Sequence, residues 1–306
     1  MARQKRKRVA LALSSGGPRG FAYIGALEVL VERGYEVTAV AGTSIGALVG
    51  GVYAAGRLAE FKEWLLSLNT RKVFSLVDWS LSMNHLVKGE KIIEAIKEVV
   101  PDVKIESMAL PFSAIATDLY TGEEVVFDHG KLFEAIRASI SIPSLFQPVK
   151  HGLTTLVDGC IANCLPLSRV VRTEGDILVA FDVNDVDVAE IRSILTRENA
   201  ALVADTAFEQ STRAEMRGIL DSVTNRSDIG LVERLKSAGS RSMSLIKDVI
   251  NYEEEYDEAK ALDYGDTYYD LLDRSFSLMN HHQSELSIAL HRPDIVVKMP
   301  FDAYGE

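Results

Sequence analysis

The first third of the chain alternates between short apolar runs and apolar residues at helical spacing. Arg8–Leu13 is an apolar run of strand length, and a loop rich in Gly and Pro follows over Ser14–Gly20. From Phe21 to Gly34 apolar residues recur every three or four positions, which predicts a helix that Gly34 ends. Val37–Ala41 reads as a second buried strand and Ile45–Ala55 as a second helix. This order predicts an α/β fold with a mainly parallel central sheet.

The same alternation continues to about residue 185, and a different pattern follows it. The further predicted elements are the strands Pro111–Thr117, Glu124–Phe127, Gln147–Lys150, Leu153–Val157 and Ile177–Phe181, and the helix Leu132–Ser139. The stretch of about 186–266 is charged and helical in pattern, most clearly over Leu231–Ile250, and the helix Tyr268–Leu290 and the strand Ile295–Met299 follow. We therefore predict one domain over residues 1–306, a three-layer α/β/α core at 8–185 and 267–300, and a helical insertion at about 186–266.

Composition and charge exclude several classes of protein. Hydrophobic residues make up 47% and charged residues 25% of 306, as in an ordinary globular protein. The net charge of −11 predicts no nucleic-acid partner, since the obvious basic cluster is confined to Arg3–Arg8. Cys160 and Cys164 are too few for a disulfide-stapled domain, and no further ligands for a zinc site are visible near them. No calcium loop of the D-x-D-x-D-G type occurs, so we expect no metal and no cofactor.

One segment is long and uncharged enough to span a bilayer. Val37–Gly56 carries no charge, but it is rich in Gly, Ser and Thr and poor in Leu and Ile. We therefore interpret it as a strand, a sharp turn and a buried helix. The apolar run Val9–Leu13 is too short for a signal peptide, so we expect a cytoplasmic protein, with peripheral membrane contact left open.

The sharpest chemical motif is Gly42-Thr43-Ser44-Ile45-Gly46. It fits the G-x-S-x-G nucleophile elbow and lies between a predicted strand and a predicted helix, as that motif requires. A tight strand-to-helix turn needs small residues on both sides of the serine, and it lifts the Ser44 hydroxyl above the edge of the sheet. The N-terminus of the following helix favours negative charge nearby.

A second motif, Gly16-Gly17-Pro18-Arg19-Gly20, also joins a strand to a helix. Its bare backbone N–H groups could hold a nucleotide phosphate or the oxyanion of acyl transfer. A Walker A loop is excluded because Gly25 is followed by Ala26-Leu27 and not by Lys-Ser/Thr. If the first two strands are neighbours in the sheet, this loop lies beside Ser44.

A serine nucleophile needs a base, and two kinds of residue are candidates. None of the six histidines (His85, His129, His151, His281, His282 and His291) lies in an obvious strand-end loop. Asp158, in Val157-Asp158-Gly159 at a predicted strand end, is the better candidate, although Asp-Gly is by itself an ordinary turn signal. A carboxylate can act as base if burial raises its pKa and the hydroxyl is within reach.

Together these residues resemble the patatin-like phospholipase family, including its bacterial branch akin to neuropathy target esterase. The glycine-rich loop at 16–20, the elbow at 42–46 and Asp158-Gly159 match the motifs of that family in order. Ala116–Gly122 and Arg137–Pro143 also look like segments of the family. The resemblance covers roughly residues 8–185 and more weakly 275–300.

The resemblance implies a carboxylic ester hydrolase of lipid degradation that uses a Ser-Asp dyad and no histidine. Ser44 would attack the ester carbonyl of a lipid or other acyl ester and form an acyl-enzyme, while Asp158 takes the proton. The N–H groups of Gly16 and Gly17 would hold the oxyanion, with Arg19 and Gly20 shaping the loop.

Two alternatives and two further points stay open at this stage. The chain could be a catalytically weak patatin-like scaffold that binds a partner through the helical insertion. A nucleotide-binding α/β protein is disfavoured because the lysine and ribose-binding patterns are missing. The apolar stretch at 73–86, which contains Trp79 and Leu81, is a candidate lining of the acyl channel or a flap. Whether the chain forms a homo-oligomer is also left open.

Overall fold

The structure, a computed structural model, describes residues 7–78, 85–186 and 268–300. Its strands are β1 (Arg8–Leu13), β2 (Glu36–Thr43), β3 (His85–Val87), β4 (Phe112–Asp118), β5 (Glu124–Phe127), β6 (Ser144–Phe146), β7 (Val149–His151), β8 (Thr154–Asp158), β9 (Ile177–Asp185) and β10 (Ile295–Pro300). Its α-helices are α1 (Ala22–Glu32), α2 (Ile45–Ala54), α3 (Leu58–Leu66), α4 (Thr70–Leu76), α5 (Glu90–Lys97), α6 (Leu132–Ser139) and α7 (Tyr268–His291).

An eight-stranded sheet forms the centre of the described residues, in the order β10-β9-β1-β2-β4-β8-β7, with β5 also paired to β4. Neighbouring strands are parallel from β10 through to β4. The pairings of β4 with β5, β4 with β8 and β7 with β8 are antiparallel. The sheet is therefore mainly parallel, and the ends of β1 and β2 from which the two motif loops leave lie side by side.

Helices cover both faces of this sheet, and strand β1 shows why. Val9, Leu11 and Leu13 point into the larger apolar core, which contains residues of α1, α2, α3, α5 and α6. Ala12, on the opposite face, packs in a second cluster with residues of β9, and Ile288 of α7 packs against that cluster. Successive side chains of a strand point to opposite faces, so a strand buried on both faces needs an uninterrupted apolar run. The predicted α/β/α class is confirmed.

The uncharged segment Val37–Gly56 forms most of β2, a sharp turn and α2, as its composition predicted. Among the described residues, no helix combines the length and the apolar character needed to cross a membrane.

The bounds of the predicted elements are close to the observed ones except at β9. β9 continues beyond Phe181 to Asp185. Asp182 and Asn184 are polar, but side-chain hydrogen bonds satisfy them inside the protein, so the strand stays buried beyond its apolar run. A small second sheet, which pairs β3 with β6, and the helices α3, α4 and α5 were not predicted from the sequence. The helical insertion, including Leu231–Ile250, lies outside the described residues, as do Trp79 and Leu81.

Candidate active site

Ser44 is the single residue between β2 and α2. Its backbone has φ 54° and ψ −120°, a conformation that a residue with a side chain rarely adopts and that costs about 1–3 kcal/mol. The residue is buried, and the N-terminus of α2 begins directly after it. This is the strained strand-to-helix turn that the G-x-S-x-G pattern predicts.

The two glycines of the elbow are required by contacts between backbones. A Cβ atom at Gly42 would lie 2.3 Å from the carbonyl oxygen of Gly46. A Cβ atom at Gly46 would lie 2.4 Å from the carbonyl oxygen of Leu13, at the end of β1. The missing side chains therefore let α2 pack against its own strand and against the start of the glycine-rich loop.

We expect Gly42→Ala to destabilise the protein by about 3 kcal/mol or more, because the backbone of α2 must move to admit the methyl group. Gly25→Ala is the matched control, since a Cβ atom there meets nothing within 4 Å and the residue lies inside α1. That change should leave stability unchanged or raise it by about 0.5–1 kcal/mol. Urea unfolding of both variants measures the difference, and equal stability of the two would contradict the argument.

Asp158 ends strand β8, and its side chain meets Ser44. Its Oδ2 accepts a hydrogen bond of 2.6 Å from Ser44 Oγ, and its Oδ1 accepts one of 2.9 Å from the N–H of Cys160. The residue is 0% exposed. β4 separates β2 from β8 in the sheet, and Gly159 lets the chain pass beside β4, since a Cβ atom there would lie 2.2 Å from the carbonyl oxygen of Ile115.

Burial changes the acid–base character of Asp158. Loss of contact with water raises the pKa of its carboxyl group to about 6, although the hydrogen bonds from Ser44 and Cys160 act in the opposite direction. The group is therefore mostly ionised at neutral pH and is a stronger base than an ordinary aspartate. A general base works best with a pKa near the working pH.

Two hydroxyl groups that sequence reasoning missed contact the backbones of Ser44 and Asp158. Ser139, at the end of α6, accepts a hydrogen bond of 2.8 Å from the backbone N–H of Ser44. Thr117 donates one of 2.9 Å to the carbonyl of Asp158 and accepts one of 3.2 Å from the N–H of Ala162. Both lie in segments that resemble the family, but no local pattern distinguishes these hydroxyls from others.

The glycine-rich loop lies beside the elbow. Leu13, the last residue of β1, is paired with Gly42, and Gly16 follows three residues later with φ 154°. Gly17 has φ 56° and begins a short 3₁₀ turn that includes Arg19 and Gly20. A Cβ atom at Gly20 would lie 2.3 Å from Cγ2 of Ile45, so the loop closely contacts the residue that follows Ser44.

The N–H groups of Gly16 and Gly17 have no hydrogen-bond acceptor among the described residues. Both glycines follow the end of β1, which pairs with β2 just before Ser44, so their N–H groups are candidate donors to an oxyanion. Thr43 of the elbow is fixed on the other side by a hydrogen bond of 2.8 Å from its hydroxyl to the carbonyl of Asn163.

Within the described part of the chain, no hydrogen bond joins a histidine to Ser44 or Asp158. His281 contacts the carbonyl of Asn184 at 3.0 Å, and His129 pairs with Asp128. His281 also lies near the carboxylates of Asp185 and Glu285, which could hold a metal ion. Lys298 donates hydrogen bonds to both carboxylates, so its ammonium group already supplies a positive charge to this cluster.

The described site has a serine at a strained elbow, a buried carboxylate and free backbone N–H groups, as expected of a serine acyl hydrolase. The family model described as "Patatin-like phospholipase" matches residues 11–171, just over half of the chain. The chain belongs to the patatin-like phospholipase family, and the resemblance stated from the sequence is confirmed.

Individual proteins are similar over the same region. An uncharacterized NTE family protein of Mycobacterium tuberculosis is 44% identical over 185 residues, which cover 60% of this chain and 51% of that protein. Patatin-like phospholipase domain-containing protein 7 of Rattus norvegicus is 32% identical over 192 residues, 60% of this chain and 14% of the relative. The crystal structure of VipD from Legionella pneumophila has a TM-score of 0.45 at 16% identity and covers 62% of this chain and 52% of VipD. The match thus spans about half the length of the mycobacterial relative.

Proposed function

We propose that this protein is a serine lipid acyl hydrolase of the phospholipase A, lysophospholipase or esterase type. The observation that carries the proposal is the hydrogen bond of 2.6 Å between Ser44 Oγ and the buried carboxylate of Asp158. Membership of the patatin-like phospholipase family supports a lipid ester as the substrate class.

The residues of the site have distinct roles in this reaction. Asp158 takes the proton of Ser44 as its oxygen attacks the ester carbonyl, and the N–H groups of Gly16 and Gly17 stabilise the resulting oxyanion. The tetrahedral intermediate expels the alcohol, which takes the proton from Asp158, and an acyl-enzyme remains. Asp158 then removes a proton from water, which attacks the acyl-enzyme. As the fatty acid leaves, Asp158 returns that proton to Ser44 Oγ and regenerates the free enzyme.

A panel of phospholipids, lysophospholipids and short-chain esters tests the proposal. Release of fatty acid by the purified protein, together with labelling of Ser44 by a fluorophosphonate probe, would support it. A well-folded protein that hydrolyses none of these esters and takes no label would instead favour a scaffold that binds a partner.

Because lipid esters reside in membranes or micelles, we also propose peripheral contact with lipid, which sedimentation with phospholipid vesicles would detect.

The pH dependence of the reaction tests the dyad. We expect kcat/KM for a short ester to rise with pH and level off above an apparent pKa of about 6, because the base must be unprotonated in the free enzyme. The same rise should persist when each of the six histidines is replaced by Ala in turn. Loss of the rise, together with about 10³-fold or more of the activity, in one folded histidine variant would indicate a Ser-His-Asp arrangement instead.

A further inference from the structure

Hydrogen bonds to the carbonyl oxygen of Ser15 fix the peptide group that joins Ser15 to Gly16. Nδ2 of Asn184 donates a hydrogen bond of 2.7 Å to the carbonyl oxygen of Ser15, and Ser14 Oγ lies 2.8 Å from the same oxygen. No cis peptide bond occurs among the described residues, so this peptide is trans. In a trans peptide the C=O and N–H bonds point in opposite directions, so the hydrogen bond from Asn184 fixes where the Gly16 N–H points.

Asn184 is itself held firmly in a buried polar cluster. Oδ1 of Asp182 lies 3.1 Å from Nδ2 of Asn184, and it also accepts hydrogen bonds from the backbone N–H of Asn184 and from Ser284 Oγ. Asp182, Asn184 and Ser284 are all at most 1% exposed. Apart from a hydroxyl, the closest atoms to Nδ2 are the carbonyl oxygen of Ser15 and a carboxylate oxygen of Asp182. Both atoms only accept hydrogen bonds, so the amide must present its NH₂ group to the loop.

The loop also packs directly against β9. A Cβ atom at Gly16 would lie 2.3 Å from Cγ2 of Val183 and 3.4 Å from Oδ1 of Asn184. The N–H of Ser14 donates to the carbonyl of Phe181 at 3.0 Å. The position of the loop is therefore set by β9 through both packing and hydrogen bonds.

We propose that Asn184 is a positioning residue of the oxyanion hole, which aims the N–H of Gly16 at the reacting carbonyl oxygen through the carbonyl of Ser15. The inference rests on the proposed acyl hydrolase function and adds a residue outside the glycine-rich loop, the elbow and the Asp-Gly motif. A hydrogen bond to the carbonyl also polarises the peptide, which makes its N–H a stronger donor.

The test is the Asn184→Leu variant, which keeps a side chain of similar size and removes both donors. We expect kcat for a short ester to fall about 10- to 100-fold while KM changes by less than about threefold, because the oxyanion forms only on the way to the transition state. The affinity for an alkyl trifluoromethyl ketone, which forms a tetrahedral adduct with serine, should fall in parallel with kcat/KM. Rates are expressed per mole of Ser44 labelled at the end point, so unfolded protein does not count as lost activity.

Ser284→Ala is the matched control. It removes a hydrogen bond to Asp182 from the same buried cluster but touches neither Ser15 nor Gly16. We expect it to lower the melting temperature while kcat per labelled Ser44 stays within about threefold of the wild type, since only positioning of the loop affects the chemical step. An equal fall of kcat per labelled Ser44 in both variants would mean that any change in the cluster disturbs the site, and it would overturn the specific role of Asn184.

The outcomes also separate this inference from the proposed function. If the wild type neither hydrolyses esters nor takes the probe, the proposed function fails. If the wild type is active and Asn184→Leu keeps its kcat and its ketone affinity, only the role of Asn184 fails. Where Asn184→Leu does not fold, Asn184→Asp replaces it, because it has nearly the same shape and exchanges the amide donor for an oxygen. A normal kcat in that variant at pH 8 would equally overturn the inference.

Discussion

The Ser44→Ala variant should lose about 10⁴-fold or more of the ester hydrolysis activity, because no acyl-enzyme can form without the hydroxyl. Its fold should persist, since an alanine fits the space of the serine and leaves the elbow glycines and the Ser139 contact to the backbone in place. Steady-state hydrolysis and labelling by a fluorophosphonate measure the loss, and circular dichroism checks the fold.

A serine outside the site provides the control for this substitution. Ser67 lies at the end of α3, where its exposed hydroxyl donates to the carbonyl of Trp64. Ser67→Ala should label and turn over like the wild type. If Ser44→Ala still took the label at full stoichiometry, another residue would be the nucleophile and the proposed chemistry would be wrong.

The Asp158→Asn variant should be nearly inactive and yet more stable than the wild type at alkaline pH. Removal of the base should lower kcat by about 10³- to 10⁴-fold. The pKa of the carboxyl is about 6 in the folded protein and about 3.9 when unfolded, so the folded state binds more protons between these values. Stability therefore falls as pH rises through this window, and above it the ionised carboxylate costs about 3 kcal/mol.

Thermal unfolding at two pH values measures this effect. At pH 8 we expect Asp158→Asn to unfold with a free energy about 1–3 kcal/mol higher than that of the wild type, and near pH 4 the two should be nearly equal. Asp176→Asn is the contrast: hydrogen bonds from Thr173 and Thr38 and the charge of Arg8 outweigh burial and lower the pKa of that buried carboxyl. That variant should be less stable than the wild type at pH 8. Destabilisation of both variants by the same amount would contradict the raised pKa of Asp158.

Much of the sheet and its flanking helices follows from the sequence, because strands buried on both faces must be continuous apolar runs. β1 and α6 have the predicted bounds, and both reflect uninterrupted local patterns. β9 is longer than its apolar run because Asp182 and Asn184 are satisfied by residues far away in the chain. No window of sequence contains those partners, so local periodicity could not extend the strand.

The candidate site also has features that the sequence predicts and features that depend on distant residues. The elbow and the glycine-rich loop are local motifs. Asp158, which is 114 positions from Ser44, was favoured as the base by its place at a predicted strand end, and the family resemblance implied the same role. The roles of Ser139, Thr117 and Asn184 depend on which backbone groups the folded sheet brings to them. The sequence contains many other serines, threonines and asparagines, so it could not single out these three residues. Their contacts are visible only in the folded structure.

The position of β9 in the sheet has a consequence for how fragments of this protein are produced. The family match ends at residue 171, whereas β9, which begins at Ile177, pairs directly with β1. A recombinant fragment that ends where the match ends would lack β9 and leave the apolar β1 as an open sheet edge, which invites aggregation. Expression boundaries should therefore extend past β10, even though the family match stops well before it.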